Sequence, residues 1–223
     1  MATALPEFQP LLAALRDAPH PDLTQPVTQL RAAADAGVLG MHALVRAVDG
    51  LEVSDDVLAG VPVRIYRPVT ATSQTPVHVH LHGGGWWMGS IETTDPMARE
   101  LSAASGMTVV SVGYRLAPEH PWPAAPEDVY AVLVETAERL APPSLSLGGE
   151  SAGANLAAVV ALMARDRGGP RLAAQWLDVP ALDLSLPDSP SLRSYGTGHG
   201  LDIEPIRTIV DWYVSPDQVR HPY

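Results

Sequence analysis

Apolar residues recur at helical spacing twice near the start of the chain: Phe8, Leu11, Leu12 and Leu15, then Val27, Leu30, Ala34, Val38, Met41 and Val45. Pro19-His20-Pro21 separates the two segments. From Gly50 the pattern changes to short extended runs. Residues 51–57 and 61–67, joined at Ala59-Gly60, predict a hairpin. Residues 77–81 predict a third strand, after a polar loop over 70–75, and residues 107–112, 145–147 and 172–179 three more. Between them lie helical patterns. One starts at Asp95, with Pro96 at its first position and Met97, Leu101 and Ala104 on one face. Another starts at Pro126, with Glu127 and Asp128 in the first turn, where the helix dipole favours anions. A third runs from Ala152 to about Arg167. Strands alternating with helices predict an α/β class with a mostly parallel sheet covered on both faces. Residues 181–200 form a Pro/Ser/Gly-rich connection of a length usually tied to function. A last helix from Ile203, capped by Asp202, gathers Ile206, Ile209, Val210 and Tyr213 on one side.

Two motifs sit where predicted strands end. Gly148-Gly149-Glu150-Ser151-Ala152-Gly153 joins the fifth strand to the helix after it. Strand, Gly-x-Ser-x-Gly, helix is the setting of a nucleophile elbow, a turn too tight for ordinary side chains on either side of the serine. His82-Gly83-Gly84-Gly85-Trp86 follows the third strand. Three glycines there expose backbone N–H groups without side-chain obstruction. In acyl transfer such a loop gives one half of an oxyanion hole, and the residue after the nucleophile, Ala152, gives the other. Ser151 is thus the candidate nucleophile, with Gly83, Gly84 and Ala152 as oxyanion donors. Trp86, Trp87 and Met88 directly follow the glycines and suit an apolar acyl or alcohol group. Trp212 and Tyr213 are candidate second walls.

Composition narrows the alternatives. With 223 residues, 46% hydrophobic and 17% charged, the chain can bury one large core. A net charge of −11 argues against nucleic acid or an anionic membrane as partner. All 14 basic residues are arginine, which removes P-loop, Schiff-base and Ser-x-x-Lys chemistry. There is no cysteine, so neither a disulfide frame nor a thiol nucleophile is possible. The first residues lack a basic leader, and no apolar run has membrane-spanning length. A cytoplasmic enzyme is the expectation. His78, His80 and His82 alternate on one strand face, a pattern that can bind zinc. Without further ligands a structural role is expected for them, with no metal.

The glycine loop and the elbow, together with Gly89-Ser90-Ile91-Glu92-Thr93, residues 114–121 and Pro123-Ala124-Ala125-Pro126-Glu127-Asp128, resemble the hormone-sensitive-lipase-like (bacterial family IV) esterases of the α/β-hydrolase fold. The resemblance runs the length of the chain; Glu150 departs from the aspartate many members carry there. It implies an α/β-hydrolase sheet with a helical cap. On that basis residues 1–48 are cap helices, 49–180 the core, and 181–223 the cap connection and cap helix. It also implies hydrolysis of short- to medium-chain acyl esters with no cofactor. Residues 114–121 read as a scaffolding loop, with Arg115 and Glu119 as an internal ion pair.

The base and acid are not in their expected places. After Ser151 the only histidines are His199, in the cap connection, and His221, in the tail. Asp183 and Asp188 follow the sixth strand too closely to be the acid of a Ser, Asp/Glu, His order. The expectation is that the last strands of the core, with acid and histidine, come from a C-terminal segment or second chain beyond Tyr223. These 223 residues alone would then be nearly inactive, with a homo-oligomer possible. The rival readings are a ligand-binding protein on the same fold that lacks a triad, and an amidase or lactonase using the same serine.

Overall fold

The hairpin forms where the alternation of residues 51–67 places it. β1 (Leu51–Leu58) and β2 (Val61–Pro68) pair antiparallel, and Ala59 and Gly60 turn the chain with φ of 51° and 81°. Positive φ at both turn positions matches the right-handed twist of the flanking strands. The computed structural model describes residues 9–17, 22–219 and 221. Among them, six strands make one sheet in the order β1-β2-β4-β3-β5-β6. β3 (Val77–Leu81), β4 (Thr108–Val112), β5 (Leu145–Glu150) and β6 (Ala174–Asp178) are mutually parallel. Every residue of β3 and β4 is buried, as expected of central parallel strands covered on both faces, Thr108 and Ser111 of the valine-rich β4 included.

Helices cover the two faces unequally. α3 (Ile91–Ser105) packs on β2 and β4, where Tyr66, Ala98 and Val109 form a small cluster. α4 (Ala124–Leu140) and α5 (Ala152–Asp166) close the main core, in which Val79, Leu81, Leu133, Leu147, Leu156 and Val160 are inaccessible to solvent. Each such side chain contributes about 1.5–3 kcal/mol of transfer free energy. α5 carries mostly alanine and valine on its buried positions, so it lies close against β5. β6 is the sheet edge and stays open: Ala174, Gln175, Trp176 and Asp178 are exposed, with Trp176 at 38%.

Several boundaries differ from the sequence expectation. α3 starts at Ile91 rather than Asp95, because Ser90 Oγ accepts from Thr93 N at 3.2 Å and Thr93 Oγ1 accepts from Ser90 N at 2.8 Å. That reciprocal cap outweighs the preference of proline for a first position, and Pro96 lies inside the helix. α4 begins at Ala124, and Asp128 sits beyond its first turn, facing Arg115 instead of the dipole. β6 is shorter than the run over 172–179.

The helices outside the sheet also depart in part. α1 (Gln9–Asp17) and α2 (Val27–Met41) match the two helical repeats, but Val45 falls beyond α2, after a 3-10 turn at His42–Leu44. Phe8 and Pro19-His20-Pro21 lie outside the described residues. A short α6 (Pro190–Tyr195), capped by Ser189, interrupts the long connection. α7 (Ile203–Tyr213) follows Asp202, whose carboxylate accepts from Gly198 N at 2.8 Å and makes no side-chain cap. Among the described residues no helix is long and apolar enough to cross a membrane.

Candidate active site

Ser151 occupies the single residue between β5 and α5, with φ 53° and ψ −115°. An L-residue adopts such a conformation only when its surroundings impose it, at about 1–3 kcal/mol. The surroundings are the end of β3. A Cβ on Gly149 or on Gly153 would collide with the carbonyl oxygen of Leu81, and one on Gly153 also with that of His82. The two glycines therefore let the elbow rest directly on the backbone that leads into the glycine loop. The turn is held further by Ser151 N donating to Asp178 O at 2.8 Å and Asn155 N donating to Ser151 O at 3.0 Å. A Ser151→Gly variant should relieve the strain and, after the entropy glycine adds to the unfolded chain, gain roughly 1 kcal/mol. Urea unfolding of Ser151→Gly beside Ser151→Ala checks this, since alanine keeps the strain and should show no gain.

The glycine loop is shaped from within. The His82 ring stacks on Tyr114 with centroids 4.2 Å apart. Its Nδ1 lies 2.8 Å from Gly83 O, and a carbonyl only accepts, so Nδ1 carries the proton. Tyr114 Oη donates to His82 O at 2.7 Å. Burial lowers the His82 pKa from 6.5 to about 4, which keeps the ring neutral. A trans peptide sets its C=O and N–H on opposite sides. With Gly83 O turned to His82, the Gly84 N–H faces the other way. Trp87 N and Met88 N both donate to Gly84 O, at 3.2 and 3.1 Å. Gly84 itself has φ 120°, and a Cβ there would strike Met88 O. Among the described residues no backbone carbonyl pairs with the N–H of Gly83 or Gly84. Ala152 is the first residue of α5, so its N–H is one of the four without an intrahelical acceptor.

A cavity of about 280 Å³ opens on Gly83 and Gly84 and is lined by Val38, Met88, Met97 and Glu150 among others. Neither tryptophan of the loop lines it. Trp86 is buried, stacked on Tyr213 at 4.6 Å, and its Nε1 donates to Asn155 Oδ1 at 3.2 Å. Trp87 meets Trp212 edge-on at 5.7 Å. Tyr213 instead lines a second cavity, of about 240 Å³, with Trp122, Asn155 and Leu182. Glu150, a departure from the family pattern, is also part of the first cavity's lining. Its half-buried carboxyl reaches to within 2.7 Å of the place a Gly83 Cβ would take. Burial, then the charge of Asp178, raise its pKa.

The other candidates have their own partners. His78 Nδ1 bonds Ser146 Oγ at 2.9 Å and His80 Nε2 bonds Thr94 Oγ1 at 3.3 Å, while Trp176 packs 5.9 Å from the His80 ring. Arg115 pairs with Asp128 at 2.7 Å rather than with Glu119, which faces Arg31. Asp128 is one turn into α4 and close to Arg115 in space, while the backbone carries Glu119 toward α2. His199 bonds Thr197 O, and His221 packs against Trp122 at 4.6 Å. Asp183 accepts from Ser185, and Asp188 pairs with Arg193. Among the described residues, no side chain is hydrogen-bonded to Ser151 Oγ.

The arrangement is a serine held on a strained turn beside a loop with free N–H groups, on a parallel sheet. A family model for the alpha/beta hydrolase fold matches residues 78–223, and the chain belongs to that family. Within it the chain sides with the hormone-sensitive-lipase-like esterases that its motifs resemble. It is 42% identical over 169 residues to carboxylesterase NlhH of Mycobacterium tuberculosis, across 73% of this chain and 52% of the relative. Esterase LipI of the same organism is 39% identical over 192 residues, 82% of this chain and 58% of that one. Among solved structures, the hyperthermophilic esterase from the archaeon Pyrobaculum calidifontis superposes with a TM-score of 0.88 at 33% identity, covering 98% of this chain and 73% of its own. The chain spans about half the length of the curated relatives it matches.

Proposed function

We propose that this chain carries the nucleophile and oxyanion hole of a serine carboxylesterase for short- to medium-chain acyl esters. The observation that supports it most is the contact of Gly149 and Gly153 with the Leu81 carbonyl, which sets the strained Ser151 beside Gly83 and Gly84. Ser151 Oγ attacks the ester carbonyl carbon and passes its proton to a base. The carbonyl oxygen, now negative, accepts from the N–H groups of Gly83, Gly84 and Ala152, donors already aimed and needing no reorganisation. Collapse expels the alcohol and leaves an acyl-serine, which water hydrolyses by the same route in reverse. No cofactor takes part. Met88, Val38 and Met97 give the cavity beside the glycines an apolar wall suited to a short acyl chain. The pairs Trp86 with Tyr213 and Trp87 with Trp212 join the glycine loop to α7, so in this reading they support the loop and leave the acyl wall to the smaller cavity residues. α7 covers the loop, with Ile209 3.1 Å from the place a Gly85 Cβ would take, in keeping with a cap built from α1, α2, α6 and α7.

The base and acid belong, in this reading, to chain that adds strands beside β6, whose exposed backbone edge and Trp176 await a neighbour. The second reading, a binding protein without a triad, draws on the lack of a base bonded to Ser151 among the described residues. A fluorophosphonate probe separates them. It should label Ser151 of the full-length protein, as mapped by mass spectrometry, and supplying the 223-residue chain with the strands that pair beside β6 should restore turnover of a p-nitrophenyl ester. Labelling at another serine, or none, would sink the esterase reading. A panel of esters, amides and lactones then fixes the bond cleaved.

A further inference from the structure

We propose that Arg31, on α2, is a positioning residue for the oxyanion loop, acting through the carbonyls of Trp87 and Ala117; the inference rests on the esterase reading above. Arg31 Nε donates to Trp87 O at 2.7 Å, and its Nη2 donates to Ala117 O at 3.1 Å. Its remaining donors face Glu119, Nη1 to Oε1 at 3.0 Å and Nη2 to Oε2 at 2.8 Å. One helical turn on, Asp35 Oδ1 accepts from Gly89 N at 3.2 Å. α2 thus grips the loop on both sides of Met88, by the carbonyl before it and the N–H after it.

Those grips lie on the same turn that fixes the oxyanion donors. Trp87 and Met88 close that turn onto Gly84 O, so the carbonyl that Arg31 holds belongs to the residue whose N–H braces Gly84. Gly89 packs back on Gly83 O and His82 so closely that a Cβ there would lie 2.6 Å from the one and 2.7 Å from the other's ring. Ala117 N donates to Trp86 O at 2.9 Å, and Arg31 takes the Ala117 carbonyl as well. The guanidinium therefore bolts the strap over residues 114–121 to the glycine loop. A planar fork with several fixed donors can serve two carbonyls and a carboxylate together, whereas an ammonium of the same charge cannot.

Loosening that bolt lets the Gly84 N–H drift from the place the oxyanion takes. Displacements near 1 Å in such a site cost up to about 10²-fold in rate. Because the donor acts mainly on the transition state, the loss falls on kcat and not on KM. In the full-length protein, Arg31→Met should lower kcat about tenfold with KM nearly unchanged, active sites being counted by probe titration. Arg31→Lys should fall similarly. Arg31→Ala should recover part of its kcat when ethylguanidinium is added. Glu119→Gln keeps both carbonyl contacts of Arg31 and should lose less than about twofold.

A rise in KM at unchanged kcat would overturn the proposal, since α2 would then be only a pocket wall. Equal losses in Glu119→Gln and Arg31→Met would overturn it too, by showing that the ion pair docking α2 is what matters. If the parent protein fails to label at Ser151, the esterase reading itself falls. If the parent labels and turns over while Arg31→Met keeps its kcat, the positioning role alone falls.

Discussion

Ester turnover by the full-length protein is expected to fall about 10⁴–10⁶-fold when Ser151 is replaced by alanine. The expectation follows from how little else at the site can attack a carbonyl. There is no cysteine and no lysine in the chain. The residues that line the cavity at Gly83 and Gly84 include threonines, but both are committed to structure: Thr93 to the cap of α3 and Thr94 to His80. What survives in Ser151→Ala is the oxyanion loop and the cavity, which alone can leave about 10³–10⁴-fold acceleration over water. Binding of a non-hydrolysable ester analogue should be unaffected, because alanine keeps the φ of 53° that the glycine contacts impose. Steady-state turnover and calorimetric binding on the same sample check both halves. Undiminished turnover in the variant would remove Ser151 from the chemistry. Equal binding with no turnover in the parent would point to the triad-less binder.

The elbow was legible because its constraint, although imposed by a carbonyl on β3, falls on two glycines at fixed spacing within one short stretch. Glycine at 149 and 153 answers a collision with one carbonyl, that of Leu81, and such a collision leaves a fixed spacing in the sequence. The hairpin at Ala59-Gly60 and the buried run of β4 are legible for the same reason: a turn type or a two-faced strand restricts neighbouring residues together. α3 shows the limit. Proline and a capping pair both announce a helix start, and only the folded chain decides that Ser90 with Thr93 prevails over Pro96.

Side-chain contacts between distant segments left no such trace. Arg31 and Glu119 are 88 positions apart, and nothing in the helical repeat of α2 marks Arg31 as different from any solvent-facing arginine. Arg115 offered two carboxylates within reach along the chain, and the backbone path selected Asp128. For the aromatic residues after the glycines, order in the sequence carries no direction. Which ring faces a cavity depends on α7, whose Tyr213 and Trp212 take the faces of Trp86 and Trp87.

The face of β3 that carries His78 and His80 leads to the other large effect, a loss of stability in mild acid. Both rings lie on the strand face opposite Val77, Val79 and Leu81, with Gly148 of β5 and Trp176 of β6 closing over them. Burial lowers the pKa of His78 from 6.5 to about 4 and that of His80 to about 3, the latter with smaller contributions from His78 and His82. His82, under Tyr114, is lowered to about 4. A folded-state pKa below the unfolded one means that the unfolded chain binds more protons between the two values. Stability is therefore whole above pH 6.5 and is lost as pH falls toward 4, levelling off below the folded pKa values. For His78 the span corresponds to about 3 kcal/mol. Three such groups together approach the net stability of an entire domain, about 5–15 kcal/mol. Glu150, whose pKa is raised, acts in the opposite sense, but it is half-exposed and screened. Urea midpoints measured from neutral pH downward should drop steeply through this window. In His78→Gln the slope should decrease by about one proton, and a uniform loss of stability in the variant does not affect that comparison. A midpoint that stays level from pH 6.5 to 4 would mean the three rings are already charged, or not buried, in the folded protein.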